Sequence, residues 1–213
     1  MPDPNRYAPG VLMRRVTAGM VGFVGLTLEI AYTRIVSFKL FYYYTYFVIG
    51  LALLGFGASA TIVALSGRLR RRDVLDTVRV AAPTIGLLGV LSYLLVARIP
   101  TDVNQIWTSP GLGRASAELL VVIVLAFALT AVFFGLGLII SLLIVVDSAD
   151  VRKLYFWDLA GAALGCLLAV PLQLTIGPPA MVLVSLTAFA ALGGVIALQQ
   201  GRGKPVALAG VAI

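Results

Sequence analysis

The sequence contains no histidine and only one cysteine, Cys166. Without an imidazole, the chain cannot build a histidine-based metal site or a catalytic arrangement of the Ser-His-Asp or Cys-His type. A single sulfur cannot form an intrachain disulfide or a thiolate zinc site. We therefore expect no metal, no cofactor and no catalytic residue in this chain.

Charged residues are also scarce. They make up 12% of the 213 residues, which is about half of their share in an ordinary soluble domain. Hydrophobic residues make up 61% of the chain. The net charge of +7 does not indicate a nucleic-acid partner, because the basic residues lie between long apolar runs. The composition predicts an all-α integral membrane protein whose surroundings are a lipid bilayer.

Six apolar runs have the length of roughly 20 residues that a helix needs to cross a bilayer. The predicted membrane spans cover residues 16–38, 42–66, 80–97, 117–146, 156–176 and 179–198. We accordingly divide the chain into an N-terminal segment (1–15), a six-helix transmembrane domain (16–200) and a basic turn with a short apolar run (201–213). This last run is too short to span, and we expect it to be the truncated start of a seventh helix.

The distribution of arginine and lysine predicts the orientation of these spans. Most of the 16 basic residues lie in the N-terminal segment, in the loops after spans two and four, and after span six. The opposite side carries only Lys39, Arg98 and Arg114. Because basic loops stay in the cytoplasm, we expect a cytoplasmic N-terminus.

Span one contains two charged residues, Glu29 and Arg34, and charges inside a bilayer are costly. They lie five residues apart, about 140° around a helix, so we expect each to find a partner on another helix. Tyr32 and Thr33 are placed to share the face of Glu29 and to hydrogen-bond it. Two interpretations stay open at this point. Glu29 is either a proton- or cation-binding carboxylate in a polar cavity, or a structural group that is ion-paired or kept neutral by burial.

Span five begins with a second candidate group that contains Tyr155, Trp157 and Asp158. An aspartate in the first turn of a helix interacts favourably with the helix dipole, and the two aromatic side chains are typical of the membrane interface. The alternative interpretation is that Tyr155 and Asp158 bind a substrate or an ion. We expect Asp147 and Asp150, which flank the preceding loop, to be solvated.

Small residues at four-residue spacing predict where helices approach closely. Span five carries Gly161 and Gly165, and span two carries Gly55 and Ser59. Such pairs allow the backbones of two membrane helices to come into contact. We expect these four residues to pack helices rather than to bind a ligand.

Several segments together resemble the N-terminal membrane domain of bacterial spermidine synthase-like proteins. They are the Glu29 and Arg34 segment (25–35), the small-residue stretch 50–60, the basic segment 66–72 and the segment 154–165 that contains Asp158. In that family a major facilitator-like membrane part precedes a cytosolic polyamine aminopropyltransferase domain. Two features depart from the family pattern. Its members often have asparagine at the position of Asp158, and often a proline in the fourth helix, where residues 134–140 have none.

The resemblance implies an integral domain of the bacterial cytoplasmic (inner) membrane that is not catalytic by itself. It would anchor a fused or associated aminopropyltransferase-like domain and pass a small cationic substrate. Two other functions stay open from the residues alone. One is a stand-alone, half-size transporter-like protein that acts as a homo-oligomer, and the other is a structural membrane protein in which the charges only hold helices together.

Overall fold

The computed structural model describes residues 9–40, 44–71, 73–99, 112–147 and 150–199. Its helices are α1 (Pro9–Leu40), α2 (Thr45–Leu65), α3 (Gly67–Arg70), α4 (Val74–Arg98), α5 (Leu112–Val146), α6 (Val151–Thr175) and α7 (Gly177–Gln199). No strand occurs in the ranges given above. The predicted all-α class is confirmed.

All of these helices except α3 are long and apolar enough to cross a membrane. Within the described ranges, six helices therefore have the length and composition predicted for membrane spans, as in an integral membrane protein. The expected seventh helix falls in 201–213, which lies outside the described residues. The expected N-terminal segment 1–15 is described only from residue 9, where it already belongs to α1.

Five of the long helices begin earlier than the predicted spans, and α1 and α4 show why. α1 begins at Pro9, so that Arg14 and Arg15 lie on the helix itself. α4 begins at Val74 because Asp73 caps it, and the Asp73 side chain accepts a hydrogen bond of 3.1 Å from the Leu75 backbone N–H. Hydropathy alone misses such starts, because Arg14 and Arg15 on α1 and Asp76 and Arg79 on α4 interrupt the apolar run.

The helices pack in three close pairs, which are α1 with α6, α2 with α5, and α4 with α7. α4 also packs against α5, and α1 against α7, so that the pairs join into one bundle. Tyr32, Phe133 and Phe189 are among the largest fully buried side chains of its core. The end of the bundle where α1 begins is called the N side below, and the opposite end the far side.

Polar contacts define both ends of the bundle. On the far side, the Lys39 ammonium donates hydrogen bonds to the carbonyl oxygens of Val96 and Ile99, where α4 ends. Also on the far side, only Ile176 separates α6 from α7, and the next residue, Gly177, has a φ of +79°. This left-handed conformation suits glycine, and it makes the sharp reversal that the sequence Gly-Pro-Pro predicts.

Candidate functional site

The helices α1 and α6 run parallel and touch through their backbones. A β-carbon on Gly161 would overlap the carbonyl oxygen of Gly19, and one on Gly165 would lie 2.7 Å from the carbonyl oxygen of Phe23. Farther along, the Gln173 side-chain amide donates a hydrogen bond of 3.3 Å to the carbonyl oxygen of Ile30. Only small residues permit so close an approach, and this approach positions the two candidate carboxylates of the bundle.

The first of these carboxylates, Asp158, lies in the interface of α1 and α6. A β-carbon on Gly22 would lie 2.8 Å from Oδ1 of Asp158 and would overlap the Asp158 carbonyl oxygen. The interpretation of Asp158 as a first-turn carboxylate is wrong, because α6 begins at Val151, seven residues earlier. Asp158 instead lies about 10 Å along the helix axis from Val151, and its side chain is half-buried.

The second carboxylate, Glu29, lies on the same face of α1 as Gly22. The two residues are seven positions apart, which is about two helical turns and an axial distance of ~10 Å. Glu29 is half-buried. Asp158 therefore lies near the N side of this face, and Glu29 lies about two turns toward the far side.

The face of α1 that carries Glu29 lies between α6 on one side and α2 on the other. Gly22 faces α6, whereas a β-carbon on Gly25 would lie 3.5 Å from Cζ of Phe56 on α2. Within the described ranges, α2 and α6 form no extended interface with each other. We call this strip of α1, together with the side chains that border it, the α1 cleft. Gly22, Gly25 and Glu29 lie along the strip, and Asp158 and Phe56 border it.

The expected partners of Glu29 lie elsewhere. The Tyr32 side chain is fully buried, and its hydroxyl donates a hydrogen bond of 3.3 Å to the carbonyl oxygen of Gly89 on α4. The Thr33 hydroxyl donates a hydrogen bond of 2.8 Å to the carbonyl oxygen of Ile30 on its own helix. Neither side chain is therefore engaged with the Glu29 carboxylate.

The two charges of span one are not paired with each other. The Arg34 guanidinium is exposed and lies 4.7 Å from the ring centre of Phe38, one turn farther along α1. None of the ion pairs among the described residues involves Glu29, Arg34 or Asp158. The structure thus places Glu29 and Asp158 along one cleft, and Arg34 on the surface near the far side.

The aromatic residues next to Asp158 differ in their surroundings. Tyr155 is 56% exposed and lies almost one turn before Asp158 on α6. Trp157 packs on α1, where a β-carbon on Gly19 would lie 3.7 Å from its ring. Tyr155 is therefore accessible from outside the bundle, whereas Trp157 helps to hold α6 against α1.

An ion-pair network lies on the N side, and it gives partners to the two aspartates that the sequence predicted to be solvated. Arg14 pairs with Asp147 at 3.4 Å, and Arg15 pairs with Asp150 at 3.3 Å. Lys153 approaches Asp150 to 3.0 Å. The hydrogen bond from Lys153, together with the charge of Lys153 and the contact with Arg15, lowers the pKa of Asp150 below its usual range.

This network also bounds the α1 cleft. Arg15 lies seven residues before Gly22, so Arg15, Gly22 and Glu29 share one face of α1. The pair of Arg15 with Asp150 therefore lies at the N-side end of that face. Sequence reasoning could not find this contact, since residues 135 positions apart meet only when α1 and α6 pack in parallel.

The second small-residue pair lies between α2 and α5. A β-carbon on Gly55 would lie 2.8 Å from the carbonyl oxygen of Thr130, and the Ser59 hydroxyl lies beside Gly137. The Ser59 hydroxyl donates a hydrogen bond of 2.7 Å to the carbonyl oxygen of Phe56. Both Gly55 and Ser59 therefore serve helix packing away from the α1 cleft.

The described residues include no group of three or more acidic or thiol side chains that could hold a metal ion. No family model, curated protein or solved structure matches this chain. The α1 cleft and the resemblance of the sequence segments are therefore the two indications of function.

Proposed function

We propose that this chain is the integral membrane domain of a spermidine synthase-like protein, and that its α1 cleft binds and passes a small organic cation. The observation that carries the proposal is the placement of Glu29 and Asp158. Both are half-buried carboxylates along one cleft, and neither takes part in the ion pairs of the described residues. The domain has no catalytic residue of its own in this proposal.

The chemistry of the cleft favours a cationic ligand. A carboxylate within a membrane is costly unless a counter-charge or a hydrogen-bond donor accompanies it. An ammonium group supplies both, since it carries one positive charge and several N–H donors. Because Glu29 and Asp158 are separated along the axis by ~10 Å, a linear amine with a cationic group at each end can engage both carboxylates.

The surroundings of the cleft fit passage between the two sides. On the N side, the pair of Arg15 with Asp150 stands at the end of the cleft. The exposed Tyr155 ring, near Asp158, offers a face on which an ammonium group can rest. In this proposal the N side is cytoplasmic, as the distribution of basic residues predicts, and the domain anchors an aminopropyltransferase-like partner there.

Uptake of labelled spermidine by proteoliposomes tests the transport part. The full chain, Glu29→Gln and Asp158→Asn are compared with Glu118→Gln, which makes the same chemical change on α5. Loss of one charge-assisted contact corresponds to about a tenfold or larger decrease in rate. We therefore expect the uptake rate of both cleft variants to fall by that factor, while Glu118→Gln retains the uptake rate of the unaltered protein. Unchanged uptake in Glu29→Gln would contradict the proposal, and a lowered melting temperature with full uptake would assign the residue a structural role.

The intact mass of the protein from its native membrane tests the anchoring part. The 213 residues have a mass of 22.5 kDa. A native mass larger by a soluble domain, or stable co-purification with an aminopropyltransferase, supports an anchoring role. A native mass of 22.5 kDa without such a partner contradicts it and favours a self-standing transporter-like protein.

A further inference from the structure

A recess lies between α4 and α5, on a different part of the bundle from the α1 cleft. It is an open groove with a volume of about 660 Å³, which is within the range of ligand-binding pockets. Its two walls carry mostly apolar side chains, including Val80, Ile85, Leu88, Phe134 and Leu138. We call it the α4–α5 groove.

Acidic groups are confined to one end of the α4–α5 groove. Asp73 and Asp76 lie at the N side, in the cap and the first turn of α4. The hydroxyls of Thr77 and Thr84 also line the groove, but they donate to the carbonyl oxygens of Asp73 and Val80 within α4. The groove therefore has an acidic head and an otherwise apolar length.

The length of the groove matches one leaflet of a bilayer. From Thr77 to Leu88 the apolar wall runs about 17 Å along α4, and one half of the hydrocarbon core is about 15 Å thick. The acidic head lies where α4 begins, at the end of a predicted membrane span and thus at the level of lipid headgroups. An occupant with one polar end and an acyl chain has these dimensions.

Two basic residues precede the acidic head in the chain. Arg70 and Arg71 are exposed and stand at the end of α3, just before Asp73 in the chain. Two arginines and two aspartates thus lie within seven residues of one another in the chain, where α3 ends and α4 begins. A headgroup that carries both a primary ammonium and a phosphate complements both signs.

We propose that the α4–α5 groove is a binding site for one molecule of an amine-headed phospholipid, phosphatidylethanolamine. The ammonium group donates hydrogen bonds to Asp73 and Asp76, the phosphate lies toward Arg70 and Arg71, and an acyl chain lies along the apolar walls. A choline headgroup has no N–H donor for the aspartates, and a glycerol headgroup leaves the aspartates facing a net negative lipid. The site does not depend on the function proposed for the α1 cleft.

Native mass spectrometry of the full chain tests this site. The protein is released from micelles that contain equal amounts of dioleoyl phosphatidylethanolamine, phosphatidylcholine and phosphatidylglycerol. We expect one phosphatidylethanolamine to be retained about tenfold more than either other lipid, as one charge-assisted hydrogen bond implies. Equal retention of the three lipids, or preferential retention of phosphatidylglycerol, would overturn the proposal.

Two variants locate the site. In Asp73→Asn/Asp76→Asn, asparagine preserves the helix cap, and we expect the preference for phosphatidylethanolamine to disappear. Ala131→Trp fills the groove from α5, where Ala131 is exposed, and we expect it to lower the retention of phosphatidylethanolamine by the same factor. Ala163→Trp, on the exposed face of α6, is the matched control, and we expect it to retain phosphatidylethanolamine as the unaltered protein does. If Ala131→Trp retains the lipid as the unaltered protein does, the groove is not the site.

Discussion

The carboxyl group of Asp158 lies directly against the backbone of Gly22, so that a β-carbon on Gly22 would come within 2.8 Å of Oδ1. Glycine at this position is therefore what allows a charged side chain to enter the interface of α1 and α6. Glu29 lies on the same face of α1 as Gly22, two turns farther along the helix. Both carboxylates therefore lie along this one face. The α1 cleft is a consequence of how closely these two helices approach.

The close approach of α1 and α6 is tested by Gly161→Ala, with Gly57→Ala as the matched control. A β-carbon on Gly161 would overlap the Gly19 carbonyl oxygen, whereas one on Gly57 would meet nothing within 4 Å. We expect Gly161→Ala to destabilise the protein by about 1–3 kcal/mol through overpacking. Gly57→Ala should be neutral or stabilising by up to about 1 kcal/mol, since alanine favours a helix. Unfolding curves in mixed micelles measure both, and equal stability of the two variants would contradict the packing described for Gly161.

The role of the N-side network is tested by the pH dependence of stability. The contacts with Lys153 and Arg15 lower the pKa of Asp150 in the folded protein. The stability that this carboxylate contributes is therefore present above the unfolded pKa of about 3.9, and it is lost as the pH falls through the lower folded value. At neutral pH we expect the unaltered protein to have a higher melting temperature than Asp150→Asn.

The difference in melting temperature between these two proteins should then close as the pH falls below about 4. Arg68→Ala, which alters an exposed arginine of α3, serves as a control for a general change in net charge. A difference between the unaltered protein and Asp150→Asn that stays constant down to acid pH would contradict the assignment.

The far side of the bundle depends on Lys39, which is tested by Lys39→Met. The methionine keeps the aliphatic stem and removes the ammonium that donates to the carbonyl oxygens of Val96 and Ile99. A hydrogen bond from a charged donor contributes about 1.5–3 kcal/mol. We therefore expect Lys39→Met to lower the free energy of unfolding by that amount and to speed hydrogen exchange at the end of α4. Lys153→Met removes an exposed ion pair and should cost about 1 kcal/mol or less. An equal effect of the two substitutions would contradict a capping role for Lys39.

Tyr32 is expected to matter for stability and not for amine binding. Its hydroxyl donates to the carbonyl oxygen of Gly89 on α4, within the core. Tyr32→Phe should therefore lower the free energy of unfolding by about 1 kcal/mol, while spermidine affinity stays the same. Tyr46→Phe, at an exposed position on α2, controls for loss of a hydroxyl and should be neutral. A weakened affinity in Tyr32→Phe would place Tyr32 in the binding site and contradict this arrangement.

Hydropathy predicted the number and the approximate limits of the six spans, because the length of an apolar run is fixed by bilayer thickness. It did not predict the early starts of α1 and α4, because charged residues interrupt the apolar run near the beginning of both helices. The start of α6 at Val151 is a similar case, and it moved Asp158 from the first turn of a helix to its interior.

Contacts between helices were harder to predict than the helices. The residues at four-residue spacing marked the surfaces of α6 and α2 that approach other helices, because only small residues allow such contact. The partner helix was not encoded in that spacing. Three features follow from which helices are neighbours: α2 and α6 lie apart, Arg15 pairs with Asp150, and Tyr32 points toward α4. A single sequence carries no local signal that identifies neighbouring helices.

The most direct test of the α1 cleft is the equilibrium binding of labelled spermidine to the full chain in nanodiscs. Glu29→Gln, Asp158→Asn and the control Glu118→Gln are measured beside the unaltered protein, each with its melting temperature. We expect saturable binding of spermidine to the unaltered protein. Its affinity should weaken about tenfold or more in the two cleft variants and should be retained in Glu118→Gln. Absence of binding in the unaltered protein, or equal affinity in all four proteins, would contradict it.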